Sequence, residues 1–201
     1  MSESRGWYVF FRKCFRILFV TIFRWKVVGL EHVPTEGPAV ICSNHISLLD
    51  PPLVGSASKR PIHFMAKEEL FHIPVLSYFL PKILAFPVKR GQSDMKAVKT
   101  AIKILKSNEL FGIFPEGTRK KSNGSEQEAE EGAVFIALKA KAPIIPVALI
   151  GPYRLFRSVR VIFGEPIDTT PYSTGKISKE VVSEVTRIMM DNIQTIIQQN
   201  R

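Results

Sequence analysis

Between Pro34 and Pro166 the chain alternates short apolar runs with polar or helix-patterned stretches, and this alternation restricts its fold more than any other feature. The apolar runs at 38–43, 62–66, 83–88, 111–114, 144–150 and 159–163 read as strands. Between them Met95, Val98, Ala101, Ile102 and Leu105 recur at helical spacing, with Ser93 or Asp94 as the N-cap. Residues 133–140 form a second short helical pattern. Residues 178–199 carry Val182, Val185, Ile188, Met189, Ile193, Ile196 and Ile197, the apolar stripe of a long amphipathic helix. Strands alternating with helices predict an α/β sandwich around a mixed sheet. Pro143 and Pro146 inside one apolar run point to an edge or irregular strand there. A length of 201 residues suits one domain with a full-sized core. The polar stretch 120–131, with Asn123-Gly124 and several glutamates, reads as a loop.

Several of these runs lead directly into chemistry-bearing residues. The first continues into Asn44-His45-Ile46-Ser47-Leu48-Leu49-Asp50. A chain leaving a buried strand there presents His45 at the strand end, and Asp50 can fold back onto its ring. A neutral imidazole can take a proton from an alcohol near neutral pH. A carboxylate on the far ring nitrogen fixes the tautomer and stabilises the imidazolium as it forms. Taken alone, the heptapeptide also fits a solvated loop histidine and an aspartate capping a helix that opens on Pro51-Pro52. No nucleophilic serine stands in a matching motif: Gly91-Gln92-Ser93-Asp94-Met95 lacks the second glycine of a nucleophile elbow. The substrate itself therefore supplies the hydroxyl.

The run 111–114 leads into Phe114-Pro115-Glu116-Gly117-Thr118-Arg119. Gly117 lets a ligand approach the backbone closely, Thr118 offers a hydroxyl, and Arg119 offers a forked donor suited to phosphate. Glu116 is an acceptor for an arginine or a substrate hydroxyl. Gly112 and Gly117 have the glycine spacing of a P-loop, but Thr118-Arg119 replaces its Lys and Ser/Thr, which excludes that reading. The run 83–88 leads into Lys89-Arg90-Gly91, again paired cations and a glycine.

Charge and the N-terminal segment point to a lipid surface. The formal net charge is +10, with 28 Lys and Arg against 18 Asp and Glu, which by itself calls for an anionic partner: nucleic acid, anionic lipid or a phosphorylated substrate. From Trp7 to Lys26 the chain is apolar and aromatic but is interrupted by Arg12, Lys13, Arg16, Arg24 and Lys26. Its unbroken apolar stretches fall well short of the ~20 residues that span a bilayer. Nor does a small-x-small cleavage site follow. Tyr8, Phe11, Phe15, Leu18 and Ile22 lie at helical spacing, Arg12 and Arg16 share another face, and Trp7 and Trp25 stand near both ends. This composition predicts a helix lying in the headgroup zone over residues 1–28, in preference to a helix packed on the protein's own core, ahead of a domain from 29 to 201. The two cysteines, Cys14 and Cys42, make no disulfide framework and fit a reducing compartment.

The ordered set of motifs resembles the glycerolipid acyltransferase family, in particular its bacterial members that acylate 1-acylglycerol 3-phosphate (lysophosphatidate). Asn44, His45 and Asp50 match its N-H-x-x-x-x-D signature, and Arg90 matches the arginine of its second motif. Phe114 to Arg119 match its third motif at every position, and Pro143 to Pro146 match its fourth; the stretch 66–71 also looks familial. The resemblance covers roughly residues 28–166. It implies an α/β acyltransferase fold with a mixed sheet and catalysis by His45 as general base with Asp50 orienting it. Arg90, Glu116, Gly117, Thr118, Arg119 and Lys67 become substrate-binding residues. Members similar to this chain carry a basic residue before the glycine that opens the next helix, where this chain has Glu131-Gly132. The phosphate then falls to Arg90, Arg119 and Lys67. The resemblance further implies no metal and no cofactor, acyl-CoA or acyl-carrier protein as donor substrate, no nucleic acid, and a monotopic or peripheral place on the anionic cytoplasmic face of the cell membrane. The rival readings are another acceptor, such as a lyso-aminolipid or glycerol phosphate, a lipid hydrolase, or a non-enzymatic membrane binder.

Overall fold

The computed structural model describes residues 2–89, 94–115 and 131–200. Its strands are β1 (Lys26–Val28), β2 (Ala39–Ser43), β3 (Ile62–Lys67), β4 (Ala85–Val88), β5 (Leu110–Ile113), β6 (Ile144–Ile150) and β7 (Arg160–Phe163). They form one sheet in the order β1-β7-β6-β2-β5-β3-β4. Every pair is parallel except β6 with β7, so the sheet is mixed as the alternation predicts. The helices are α1 (Ser2–Phe23), α2 (Asp50–Ala57), α3 (Pro74–Lys82), α4 (Met95–Lys106), α5 (Glu131–Ala140) and α6 (Lys179–Gln199).

Side chains alternate across the sheet, and each face has its own core. Val40 and Cys42 of β2 pack with Leu105 of α4, Ala137 of α5 and Met189 of α6. Their neighbours Ala39 and Ile41 pack with Phe19 of α1 and Leu53 and Val54 of α2. The result is three layers, with β2 buried along its whole length at the centre. Asp94, rather than Ser93, caps α4: its Oδ1 accepts from the N–H groups of Lys96 and Ala97 at 3.1 and 3.0 Å. Its Oδ2 accepts from Lys89 N–H at 2.9 Å, and these donors, Lys89 foremost, hold the carboxyl below its usual range. Ser178 caps α6 by accepting from Val181 N–H.

At several points the structure adds to or departs from the sequence expectations. Pro143 and Pro146 do not mark an edge, because β6 lies between β7 and β2 in the sheet interior. Pro146 sits where β7 has just ended and accepts from Gly164 N–H at 2.8 Å, so its missing N–H removes one bond at the end of the ladder. Pro87, on the true edge strand β4, is exposed and obeys the rule. The helix of the N-terminal segment ends at Phe23, and residues 26–28 belong to the sheet as β1, paired with β7. The boundary expected at residue 28 thus follows a strand of the domain itself. Finally, α1 is part of the domain's core: Phe19 is fully buried and Tyr8 nearly so. The Tyr8 hydroxyl donates to Gly55 O at 3.3 Å and accepts from Ile62 N–H at 3.2 Å, and burial raises its pKa. Arg12, expected to face lipid headgroups, donates instead to Lys59 O at 2.7 Å, and Trp25 stacks on Phe19.

Candidate active site

Because β2, β3, β4, β5 and β6 run parallel, their carboxyl ends meet along one edge of the sheet, where α/β folds place their ligands. The chain leaves β2 through Asn44, which is buried. Its amide donates to Leu149 O at 3.0 Å and accepts from Leu149 N–H at 2.7 Å. Asn44 therefore extends the β2–β6 seam by one side chain and sets His45 immediately beyond it.

His45 is 6 % exposed and Asp50 is fully buried. His45 Nδ1 lies 2.7 Å from Asp50 Oδ2. A carboxylate can only accept, so Nδ1 carries a proton, and in the neutral ring this leaves the lone pair on Nε2. The same Oδ2 accepts from the N–H groups of Ile46 and Ser47 at 2.6 and 2.7 Å. Asp50 opens α2, but it does not cap it, since its bonds run backward to the turn that presents His45. The helix-cap reading of this residue is thereby replaced by a second function: one carboxylate orients the imidazole and shapes the loop that carries it. Its other oxygen, Oδ1, accepts from the Tyr153 hydroxyl at 2.6 Å.

The rest of the site comes from neighbouring strand ends. Phe114, which follows β5, stacks on the His45 ring with centroids 4.4 Å apart and planes 25° from parallel. Phe64 of β3 stacks in turn on Phe114. Gly112 makes room for this arrangement, because a Cβ there would collide with the Phe64 ring. In front of these rings lies a cavity of about 370 Å³ lined by His45, Phe114 and Phe64, by Tyr8, Phe11 and Phe15 of α1, and by Leu80 and Ile83. The wall is mostly apolar. Lys67 and Arg12 also line it, and the Lys67 ammonium is ion-paired with Glu69 at 3.0 Å. That pair is half exposed and contributes little to stability, so Lys67 is available to a stronger anion.

The structure brings His45 and Asp50 into contact at this edge and sets Lys67 on the wall of the same cavity. Arg90, Glu116, Gly117, Thr118 and Arg119, together with the loop expected at 120–131 up to Glu130, lie outside the described residues. The structural parts of Asn44 and Phe114 were hidden inside motifs, and Tyr153 was missed. Nothing in Gly151-Pro152-Tyr153 signals a tie to a residue so far back in the chain.

A domain model described as Acyltransferase matches residues 24–150. The chain belongs to the acyltransferase family. Among its relatives, the 1-acyl-sn-glycerol-3-phosphate acyltransferase of Bacillus subtilis (strain 168) is 36% identical over 177 residues, covering 85% of this chain and 87% of that one. The enzyme of the same name from Streptococcus pneumoniae (strain ATCC BAA-255 / R6) is 28% identical over 191 residues, 88% of this chain and 70% of that one. Among solved structures, the 1-acyl-sn-glycerophosphate (LPA) acyltransferase PlsC from Thermotoga maritima shares the mixed α/β fold. It superposes with a TM-score of 0.73 at 26% identity, covering 98% of this chain and 78% of that chain.

Proposed function

We propose that this acyltransferase moves a fatty acyl group from a thioester to the free hydroxyl of 1-acylglycerol 3-phosphate, giving phosphatidic acid for phospholipid synthesis. The observation that carries this reading is the His45–Asp50 pair, 2.7 Å apart and buried at the head of an apolar cavity. His45 Nε2 takes the proton of the acceptor hydroxyl as its oxygen attacks the thioester carbonyl. The tetrahedral intermediate collapses, the carbon–sulfur bond breaks, and the imidazolium returns the proton to the departing thiolate. Asp50 stabilises the imidazolium between these steps. General-base help of this kind is worth ~10²–10⁴-fold, and positioning supplies the remainder. The apolar cavity suits a fatty chain.

In the same reading Arg90, Arg119 and Lys67 hold the substrate phosphate, with Glu116, Gly117 and Thr118 completing the acceptor site. Charge-assisted bonds to a phosphate contribute roughly 1.5–3 kcal/mol each. The donor is acyl-CoA or acyl-carrier protein, and no cofactor takes part.

The protein works at an anionic membrane surface, on its cytoplasmic side. No helix of the described residues is long and apolar enough to cross a membrane. The outward side of α1 exposes Phe10, Ile17 and Val20 together with Lys13 and Arg16. Beside its end, Leu155 and Phe156 are also exposed, and Phe156 N–H donates to Ile22 O. Exposed apolar side chains among cations suit a headgroup layer. The reading is tested with purified protein, a panel of lysolipids and both thioester donors. Acylation of lysophosphatidate above every other acceptor is expected, and faster acylation of a lysolipid without a phosphomonoester would overturn the acceptor assignment.

A further inference from the structure

We propose that Tyr153 is a positioning residue of this reaction, holding the outer oxygen of Asp50 so that the carboxylate meets His45 in one fixed orientation. The proposal rests on the general-base reading of His45.

Asp50 is fully buried, and its two oxygens are unequally served. Oδ2 accepts from His45, Ile46 and Ser47, whereas Oδ1 accepts from Tyr153 alone among the described residues. A buried carboxylate oxygen without a donor is strongly unfavourable. Without Tyr153 the group would satisfy Oδ1 by rotating, and each rotation weakens the bond to His45 or to the turn that carries it. Burial first, and then the Asp50 charge, keep the phenol of Tyr153 protonated far above the neutral range, so it remains a donor throughout.

The tyrosine is itself fixed from outside the site. Its ring meets Phe23, the last residue of α1, edge-on at 5.7 Å. The loop that carries it is tied to the same helix end: Phe156 N–H donates to Ile22 O at 2.7 Å and Val159 N–H to Phe23 O at 3.1 Å. These N–H groups satisfy carbonyls that any helix end leaves without partners. The Tyr153 loop therefore joins the end of α1 to the back of the dyad.

A hydroxyl proton on Oδ1 draws charge from the carboxylate. Removing it leaves a more basic carboxylate beside His45, which favours the imidazolium. Among the described residues, the other titratable groups lining the cavity with His45 are Tyr8 and Arg12 of α1 and Lys67 of β3, and the Tyr153 loop carries Arg154 and Arg157, which are exposed.

The test uses the full chain, lysophosphatidate in mixed micelles and acyl-CoA, with Tyr153→Phe, Asp50→Asn, the double variant and His45→Ala. Tyr153→Phe is expected to lower kcat by about tenfold or more with KM little changed, as an interaction made in the transition state requires. The acid limb of its kcat/KM profile is expected to move up by about half a pH unit or more. In the Asp50→Asn background the same substitution is expected to cost little, because the charge it served is gone. If Tyr153→Phe does not fold, the double variant is expected to regain the fold for the same reason. Wild-type kcat in Tyr153→Phe, an equal loss at every pH with an unmoved limb, or a double variant no better than additive would each overturn the proposal. Retained turnover in His45→Ala would instead overturn the general-base reading beneath it.

Discussion

The Phe114 ring lies over the His45 imidazole at a centroid distance of 4.4 Å and 25° from parallel. This contact joins two motifs from different strands, one ending β2 and the other ending β5. It keeps the imidazole plane from turning about its bond to Asp50, the strong tether among the described residues. Phe114→Ala is therefore expected to lower kcat by roughly 10- to 100-fold, the range that misplacing a catalytic group produces. Phe114→Leu, which keeps bulk but loses the flat face, should fall between. Steady-state rates with both substrates saturating decide it, and an unchanged kcat in Phe114→Ala would show that the stack is only packing.

Asn44 makes a stability prediction separate from the chemistry. It satisfies both backbone groups of Leu149 from a buried position. Asn44→Ala leaves those two groups without partners, so a loss of ~2–4 kcal/mol is expected in urea unfolding. Asn44→Asp keeps an acceptor for the Leu149 N–H but faces the Leu149 carbonyl with a charge, and should be destabilised as well. A midpoint unmoved in both variants would mean that the β2–β6 seam does not depend on this side chain.

The outward face of α1 predicts membrane behaviour. Replacing Phe10, Ile17 and Val20 by serine should reduce pelleting with anionic vesicles and lower turnover of vesicle-embedded lysophosphatidate. Turnover of a short-chain soluble acceptor should be kept, since none of the three lines the cavity. Deleting the helix is the poorer experiment, because Tyr8, Phe11 and Phe15 form the cavity wall and Phe19 sits in the core. Vesicle binding equal to wild type in the triple variant would remove α1 as the contact surface.

Much of this architecture was legible in the sequence wherever burial left a pattern. β2, β5 and β6 are covered on both faces, so they read as short apolar runs, and α4 and α6 each show one apolar stripe and a capping residue. The elements that were missed lack such patterns. β1 has three residues and α3 is apolar nearly all round, while α2, with two prolines and a glycine, was legible only at its start on Pro51-Pro52. Pro143 and Pro146 misled because a proline rule concerns lost ladder bonds: Pro143 precedes β6, and the loss at Pro146 falls where β7 stops. The His45–Asp50 pair could be read because both partners lie in one short motif. The bond between Asp50 and Tyr153 spans half the chain and exists only once the sheet has formed.

The central claim is that His45 is the base that activates the acceptor hydroxyl. It is tested most directly by measuring acyl transfer to lysophosphatidate by purified His45→Ala protein beside wild type, with circular dichroism and a urea midpoint to confirm that the variant is folded. A loss of at least ~10²-fold in turnover is predicted, since a general base contributes at least that much. A folded His45→Ala protein that turns over at near the wild-type rate would contradict it.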